Sequence, residues 1–200
     1  DHVFNVGGAG IDNIVRLQLL DKSEFQKAIN FELCEKNILV TFHPVTLENA
    51  TAEYQFQSLL DVLDEKEDVH IIFTKANADT GGRIINVMID SFVSDNPDRS
   101  VCFTSMGQLR YLSALQFMDG VIGNSSSGLL EVPSFKIGTI NIGDRQRGRI
   151  MADSVINCES SVSGISEALQ TLFSKSFQKK LETVVNPYGV GGTAEKVVDV

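Results

Sequence analysis

Two hundred residues, 42% of them hydrophobic and 22% charged, have the composition of an ordinary globular domain and enough length to bury a sizeable core. The net charge of −9 argues against general nucleic-acid binding, whose affinity comes mainly from Lys and Arg neutralising phosphates. No apolar run approaches the ~20 residues that span a bilayer, so no membrane partner is expected.

Asp1 to Gly10 (DHVFNVGGAG) reads as a strand entering a glycine-rich turn, which suggests a partner domain ahead of it. From there, short β-branched apolar runs at Asn37–Phe42, Val69–Thr74, Ser100–Thr104, Gly120–Gly123, Gly138–Ile142 and Ser154–Asn157 read as strands. Helical patterns lie between them, near Glu48–Glu65, Gly82–Ser94, Met106–Phe117, Gly128–Phe135 and Val162–Phe173. Two more, near Ser176–Val184 and Thr193–Val200, flank the turn Asn186-Pro187-Tyr188-Gly189. Runs such as ILVTF and HIIF are apolar almost throughout, as strands are when helices cover both faces of a sheet. Alternating strands and helices with right-handed crossovers give an α/β, Rossmann-like, doubly wound parallel sheet of about six strands. Residues 1–200 are expected to form one such domain.

Ligands of these sheets bind outside the carboxyl ends of the strands, so the residues standing there carry the functional argument. His43 and Pro44 follow the first strand, and Lys75, Asn77, Asp79 and Arg83 follow the second. Gly123-Asn124-Ser125-Ser126-Ser127-Gly128 follows a strand and opens a helix, where unpaired N–H groups and the helix dipole favour an anion. A serine N-cap in a tight turn explains one serine, while three exceed what capping needs. Neither GxxxxGK[ST] nor GxGxxG occurs, which disfavours magnesium-dependent phosphoryl transfer. Glu131 stands four residues after Ser127, on the same side of a helix, placed either for ribose hydroxyls or as a dipole-stabilised surface carboxylate. Pro133 should shorten or bend that helix.

Arg145, Arg147 and Arg149 fall within five residues in an otherwise acidic chain, which points to one small anionic ligand. In an extended loop their spacing of two would turn all three the same way, although one or two binding ligand and the rest pairing with carboxylates fits as well. His43 at the ligand edge is either structural or a proton-transfer group. Cys34, Cys102 and Cys158 are an odd, widely spaced set with no CxxC, the pattern of buried, reduced thiols in a cytoplasmic protein. The three histidines lack zinc-site spacing.

The segments VTFHPVT (Val40–Thr46), NADTGGR (Asn77–Arg83), SMGQLRYLSALQFMDGVIGNSSSGLLEVPSF (Ser105–Phe135) and TINIGDRQRGR (Thr139–Arg149) resemble the hydrolysing UDP-N-acetylglucosamine 2-epimerases of sialic and nonulosonic acid synthesis. The resemblance runs from about Val3 onward and covers the second half of the family's chain. It implies a GT-B architecture, with this chain as the C-terminal domain that grips UDP and an N-terminal domain carrying the main acid–base carboxylates. By motif, Ser125 and Ser126 with nearby N–H groups would hold the diphosphate, Glu131 the ribose, and Arg145 the phosphate region, with Ser127 among the residues that bind UDP. Asn77, Asp79 and Arg83 would line the cleft, and His43 would join the catalytic centre. The implied reaction needs no metal or redox cofactor, and the resemblance is compatible with a homodimer. Other readings are a non-catalytic sugar-nucleotide-binding module that docks on a partner chain, and the donor domain of a GT-B glycosyltransferase.

Overall fold

The computed structural model describes residues 3–44, 49–77 and 80–199. Strands β1 (Lys36–Thr41), β2 (Val69–Thr74), β3 (Ser100–Phe103), β4 (Gly120–Gly123), β5 (Gly138–Ile142) and β6 (Val155–Cys158) form one parallel sheet in the order β3-β2-β1-β4-β5-β6. Helices α3 (Asn49–Asp64), α4 (Thr80–Asp95) and α5 (Gly107–Leu115) carry the chain from β1 to β4. A one-turn helix α6 (Ser127–Leu130), followed by a 3-10 turn at Val132–Phe135, carries it from β4 to β5. The order runs outward in both directions from β1 and β4, so the topological switch point lies between their carboxyl ends.

Alternation along the strands explains the uninterrupted apolar runs. Ile38 and Val40 of β1 join Ile71, Phe73 and Ile140 in a core packed by α3, α4 and α7 (Val162–Leu172). Leu39 between them joins Ile72 and Val121 in a second core on the opposite face, packed by α5 and by α2 (Lys22–Ile29). Each fully buried Leu, Ile or Phe contributes roughly 1.5–3 kcal/mol relative to exposure. Both faces must therefore be apolar, and both are.

The six strands and the seven helical segments expected after residue 48 are present, with ends shifted by a residue or a few. Pro133 does end α6 early, and the chain goes on as the 3-10 turn with Pro133 in its first turn. The N-terminal expectation needs correcting. Residues 3–8 form no strand: Val3 and Phe4 are 89% and 56% exposed, so no core face holds the segment extended. The glycine-rich stretch leads instead into α1 (Ala9–Arg16), and α2 follows with a capping box between Asp21 and Glu24. The cysteines are also half-buried rather than buried, though free. No helix among the described residues is long and apolar enough to cross a membrane.

Helix α1 packs on α9 (Thr193–Val198) through Asp12, whose two carboxylate oxygens accept the Thr193 and Ala194 amides at 2.9 Å each. The Ala194 and Thr193 amides hold the Asp12 carboxyl below the usual aspartate range. A depressed folded value makes this contribution to stability complete above the unfolded carboxyl range and lost as pH falls through the folded value. Asp12→Ala should remove that acid dependence and speed amide exchange across residues 193–198, while exchange in the sheet stays unchanged. At the switch point, Gly123 has φ +144°, and a Cβ there would lie 1.9 Å from the Thr41 carbonyl oxygen. Gly123→Ala should destabilise the fold by about 3 kcal/mol or more in urea unfolding, through strain plus steric overlap.

Candidate functional site

The crevice between β1 and β4 is organised by Asn124, the residue that leaves β4. Its backbone amide donates to the Thr41 carbonyl at 3.2 Å. Its side chain, 1% exposed, accepts from the His43 amide at 2.8 Å and donates to the His43 carbonyl at 2.7 Å. Its own carbonyl accepts Arg145 Nη1 at 3.1 Å and Gln146 Nε2 at 2.7 Å. One buried residue thus fixes the β1 exit, the serine turn and the arginine loop relative to one another. A buried amide with both ends paired rigidifies a site, whereas a half-paired one is costly.

The serine turn is not a conventional cap. Ser126 precedes α6 in helical conformation and makes no side-chain capping bond, and Ser125 Oγ accepts the Ser127 amide only at 3.4 Å. The Ser125 and Ser126 hydroxyls are therefore little used in holding the turn. The four-residue α6 carries a much smaller dipole than a full helix, so an anion here would depend on turn amides, hydroxyls and Arg145. Gly128 anchors the turn to β5. Thr139 Oγ1 donates to the Gly128 carbonyl at 2.8 Å, and a Cβ on Gly128 would lie 2.6 Å from Thr139 Cγ2.

On the far side of the turn, the Tyr111 hydroxyl of α5 hydrogen-bonds Ser127 Oγ. Burial raises the Tyr111 phenol well above the ordinary tyrosine range; the Ser127 bond opposes this and the Glu131 charge adds to it. The Glu131 amide donates to the Ser127 carbonyl at 2.9 Å, which puts the two side chains on one side as their spacing predicts. Glu131 Oε2 is buried and has no hydrogen-bond partner among the described residues. Buried carboxylate oxygens are rarely left so, and this one suits a donor brought by a ligand. Gly10 lies against it: a Cβ there would be 3.6 Å from Glu131 Oε1. Asn186 braces the same stretch by donating to the Leu130 carbonyl at 2.8 Å and to Ser134 Oγ at 2.7 Å.

The arginine loop is folded, not extended. The Arg147 amide returns to the Asp144 carbonyl at 2.9 Å and the Arg149 amide to the Gln146 carbonyl at 3.2 Å, so alternation does not govern where the side chains point. Arg145, Arg147 and Arg149 nonetheless line one open cavity of about 940 Å³ at the ends of β5 and β6, with Asn141, Asn157 and Cys158. Ser125, Ser126 and Ser127 do not line it; Arg145 belongs to both places. Arg147 also faces Asp144 at 3.9 Å, a solvent-exposed pair worth little. Burial pushes the Cys158 thiol up to about 11, so it is no thiolate nucleophile near neutral pH.

His43, the three serines, Glu131 and Arg145 are gathered around the switch point. Asn77 and Arg83 stand at the neighbouring β2 exit with exposed side chains, and Asp79 lies outside the described residues. Their loop is held by Asn86, which accepts the Ala76 amide at 2.8 Å and donates to the Ala76 carbonyl at 3.1 Å. Lys75 is turned away into an ion pair with Asp90 at 2.6 Å. Asn124, Gln146 and Tyr111 were not singled out by motif. An amide directly after a strand is a sequence signal for such a clamp, whereas Tyr111 carries no signal apart from its helix. Among the described residues, no group of three or more His, Cys, Asp or Glu is placed to hold a metal ion.

A doubly wound parallel sheet with polar and cationic side chains gathered at its switch point defines a Rossmann-like α/β domain. The chain belongs to the UDP-N-acetylglucosamine 2-epimerase family, which it matches over residues 1–200. It is 36% identical over 177 residues to the hydrolysing GDP/UDP-N,N'-diacetylbacillosamine 2-epimerase of Campylobacter jejuni, covering 88% of this chain and 46% of that protein. It is also 36% identical over 187 residues to polysialic acid biosynthesis protein P7 of Escherichia coli, covering 93% of this chain and 47% of that one. The chain therefore spans about half the length of these relatives. Its fold matches the Neisseria meningitidis UDP-GlcNAc 2-epimerase bound to UDP-GlcNAc with a TM-score of 0.75 at 15% identity, over 97% of this chain and 53% of that one.

Asn124→Ala would remove the two Asn124 hydrogen bonds from the half-buried His43 amide and carbonyl. A loss of roughly 2 kcal/mol is expected in denaturant unfolding, with faster amide exchange at His43.

Proposed function

We propose that this chain is the C-terminal, UDP-binding domain of a hydrolysing UDP-N-acetylglucosamine 2-epimerase of GT-B architecture, acting with an N-terminal domain of the same enzyme. The observation that carries this reading is the turn Gly123–Gly128, with Arg145 tied to Asn124 on one side and the unpartnered Glu131 oxygen on the other. Donors at the turn and a guanidinium suit a diphosphate, which only accepts hydrogen bonds. A carboxylate, itself an acceptor, suits the donating hydroxyls of a ribose. Family membership and the hydrolysing relative in Campylobacter jejuni support the activity. The polysialic acid relative supports a place in sialic acid biosynthesis.

In the proposed reaction, a base removes the C2 proton of the amino sugar as the C1–oxygen bond to UDP breaks, leaving a glycal. Water then adds across the double bond, its hydroxyl going to C1 and a proton to the opposite face of C2, which releases N-acetylmannosamine. Charge develops on the departing diphosphate, where preorganised donors and Arg145 stabilise it more than they stabilise the substrate. Ser125, Ser126 and Ser127 hold that group, Glu131 holds the ribose, and Asn77, Asp79 and Arg83 line the cleft. His43 transfers a proton, fixed in place by Asn124.

Calorimetric titration tests the binding half of this reading. The chain should bind UDP, and Ser126→Ala or Arg145→Ala should weaken it by about tenfold, the worth of one charge-assisted hydrogen bond. Failure to detect binding at millimolar UDP would overturn the assignment. This chain by itself should release no N-acetylmannosamine, while in the two-domain enzyme His43→Ala should lower kcat far more than it raises KM.

A further inference from the structure

Tyr111 sits on α5 with its ring partly buried in the second core and its hydroxyl against Ser127 Oγ. Two hydroxyls sharing one hydrogen bond spend one hydrogen and leave the other to give. Ser127 belongs to the turn itself, so the spare hydrogen has a direct outlet there if Tyr111 is the donor. The buried phenol keeps its proton throughout the neutral range, which makes it a lasting donor. Glu131, the nearby carboxylate, can only accept, so it matches a ribose hydroxyl and not a phosphate. A hydroxyl hydrogen offered from Ser127 matches a phosphate oxygen.

We propose that Tyr111 and Ser127 form a two-hydroxyl relay, in which Tyr111 donates to Ser127 and Ser127 donates to a phosphate oxygen of the bound diphosphate. Tyr111 is then a positioning residue that acts through Ser127. A hydroxyl whose oxygen already accepts a hydrogen bond is a stronger donor, so the relay tightens as negative charge grows on the leaving group. The relay rests on the reading of the serine turn as the diphosphate site.

The test is calorimetry on the whole chain with UDP and with uridine, for the wild type, Tyr111→Phe, Ser127→Ala, their combination and Ser126→Ala. Tyr111→Phe keeps the ring and should weaken UDP about three- to tenfold, the worth of one hydrogen bond, with uridine affinity unchanged. Adding it to Ser127→Ala should cost nothing more. Equal losses for UDP and uridine, or additive losses in the double variant, would overturn the relay and leave the diphosphate assignment standing. An undiminished UDP affinity in Ser126→Ala, or no UDP binding by the wild type, would overturn both. If thermal melts show Tyr111→Phe to be poorly folded, Ser127→Ala decides alone, since the relay requires it to weaken UDP and spare uridine.

Discussion

Strands β1 and β4 approach so closely at their carboxyl ends that nothing larger than hydrogen fits on Gly123 beside the Thr41 carbonyl. The rest of the site depends on this contact. It brings Asn124 within reach of the β1 exit, and the buried Asn124 amide then fastens His43 through two hydrogen bonds. The Asn124 carbonyl, turned the other way, takes Arg145 and Gln146. His43, the serine turn and a guanidinium from three different loops are thus held by one residue. Loops are ordinarily the mobile part of an α/β fold, and here they inherit the rigidity of the two central strands.

The same contact separates two kinds of space. On one side lies the turn with Tyr111 and Glu131, whose hydroxyl and carboxylate oxygens offer defined hydrogen-bonding positions. On the other, beyond Arg145, opens the larger cavity at the ends of β5 and β6, with Arg147 and Arg149 on its wall. Arg145 is shared between them. A ligand with a rigid phosphate-bearing part and a bulkier neighbour suits such a division, since the first can be gripped and the second given room.

Much of this was legible in the sequence because the physical causes are local. Alternating Ile38, Leu39 and Val40 must serve two cores, and the apolar run says so without any long-range information. The serine turn and the Arg145 loop announce themselves by composition and by following strands. What was not legible depends on partners far along the chain. The opening residues look like a strand entering a glycine-rich turn until one sees that Val3 and Phe4 are largely exposed. Arginines spaced by two look convergent through extension, yet they meet at the cavity because the Asp144–Arg147 turn folds them there. Tyr111 is sixteen residues from Ser127, and no spacing rule links them. Asn124 stands inside the motif, but its bond to His43 spans 81 residues and only the sheet order reveals it.

The seam between α1 and α9 joins residues 181 and 182 positions apart, through one aspartate and two amides. Closing a loop of that length forfeits more chain entropy than any nearer contact, and few buried side chains reinforce it. Contacts with little packing behind them belong to the lower end of the range of local opening free energies. Gly10, beside Glu131, belongs to the same helix α1 as Asp12, so the seam also holds one wall of the carboxylate's surroundings. The seam thus bears on the site through a helix packed beside the carboxylate, and not through the switch point.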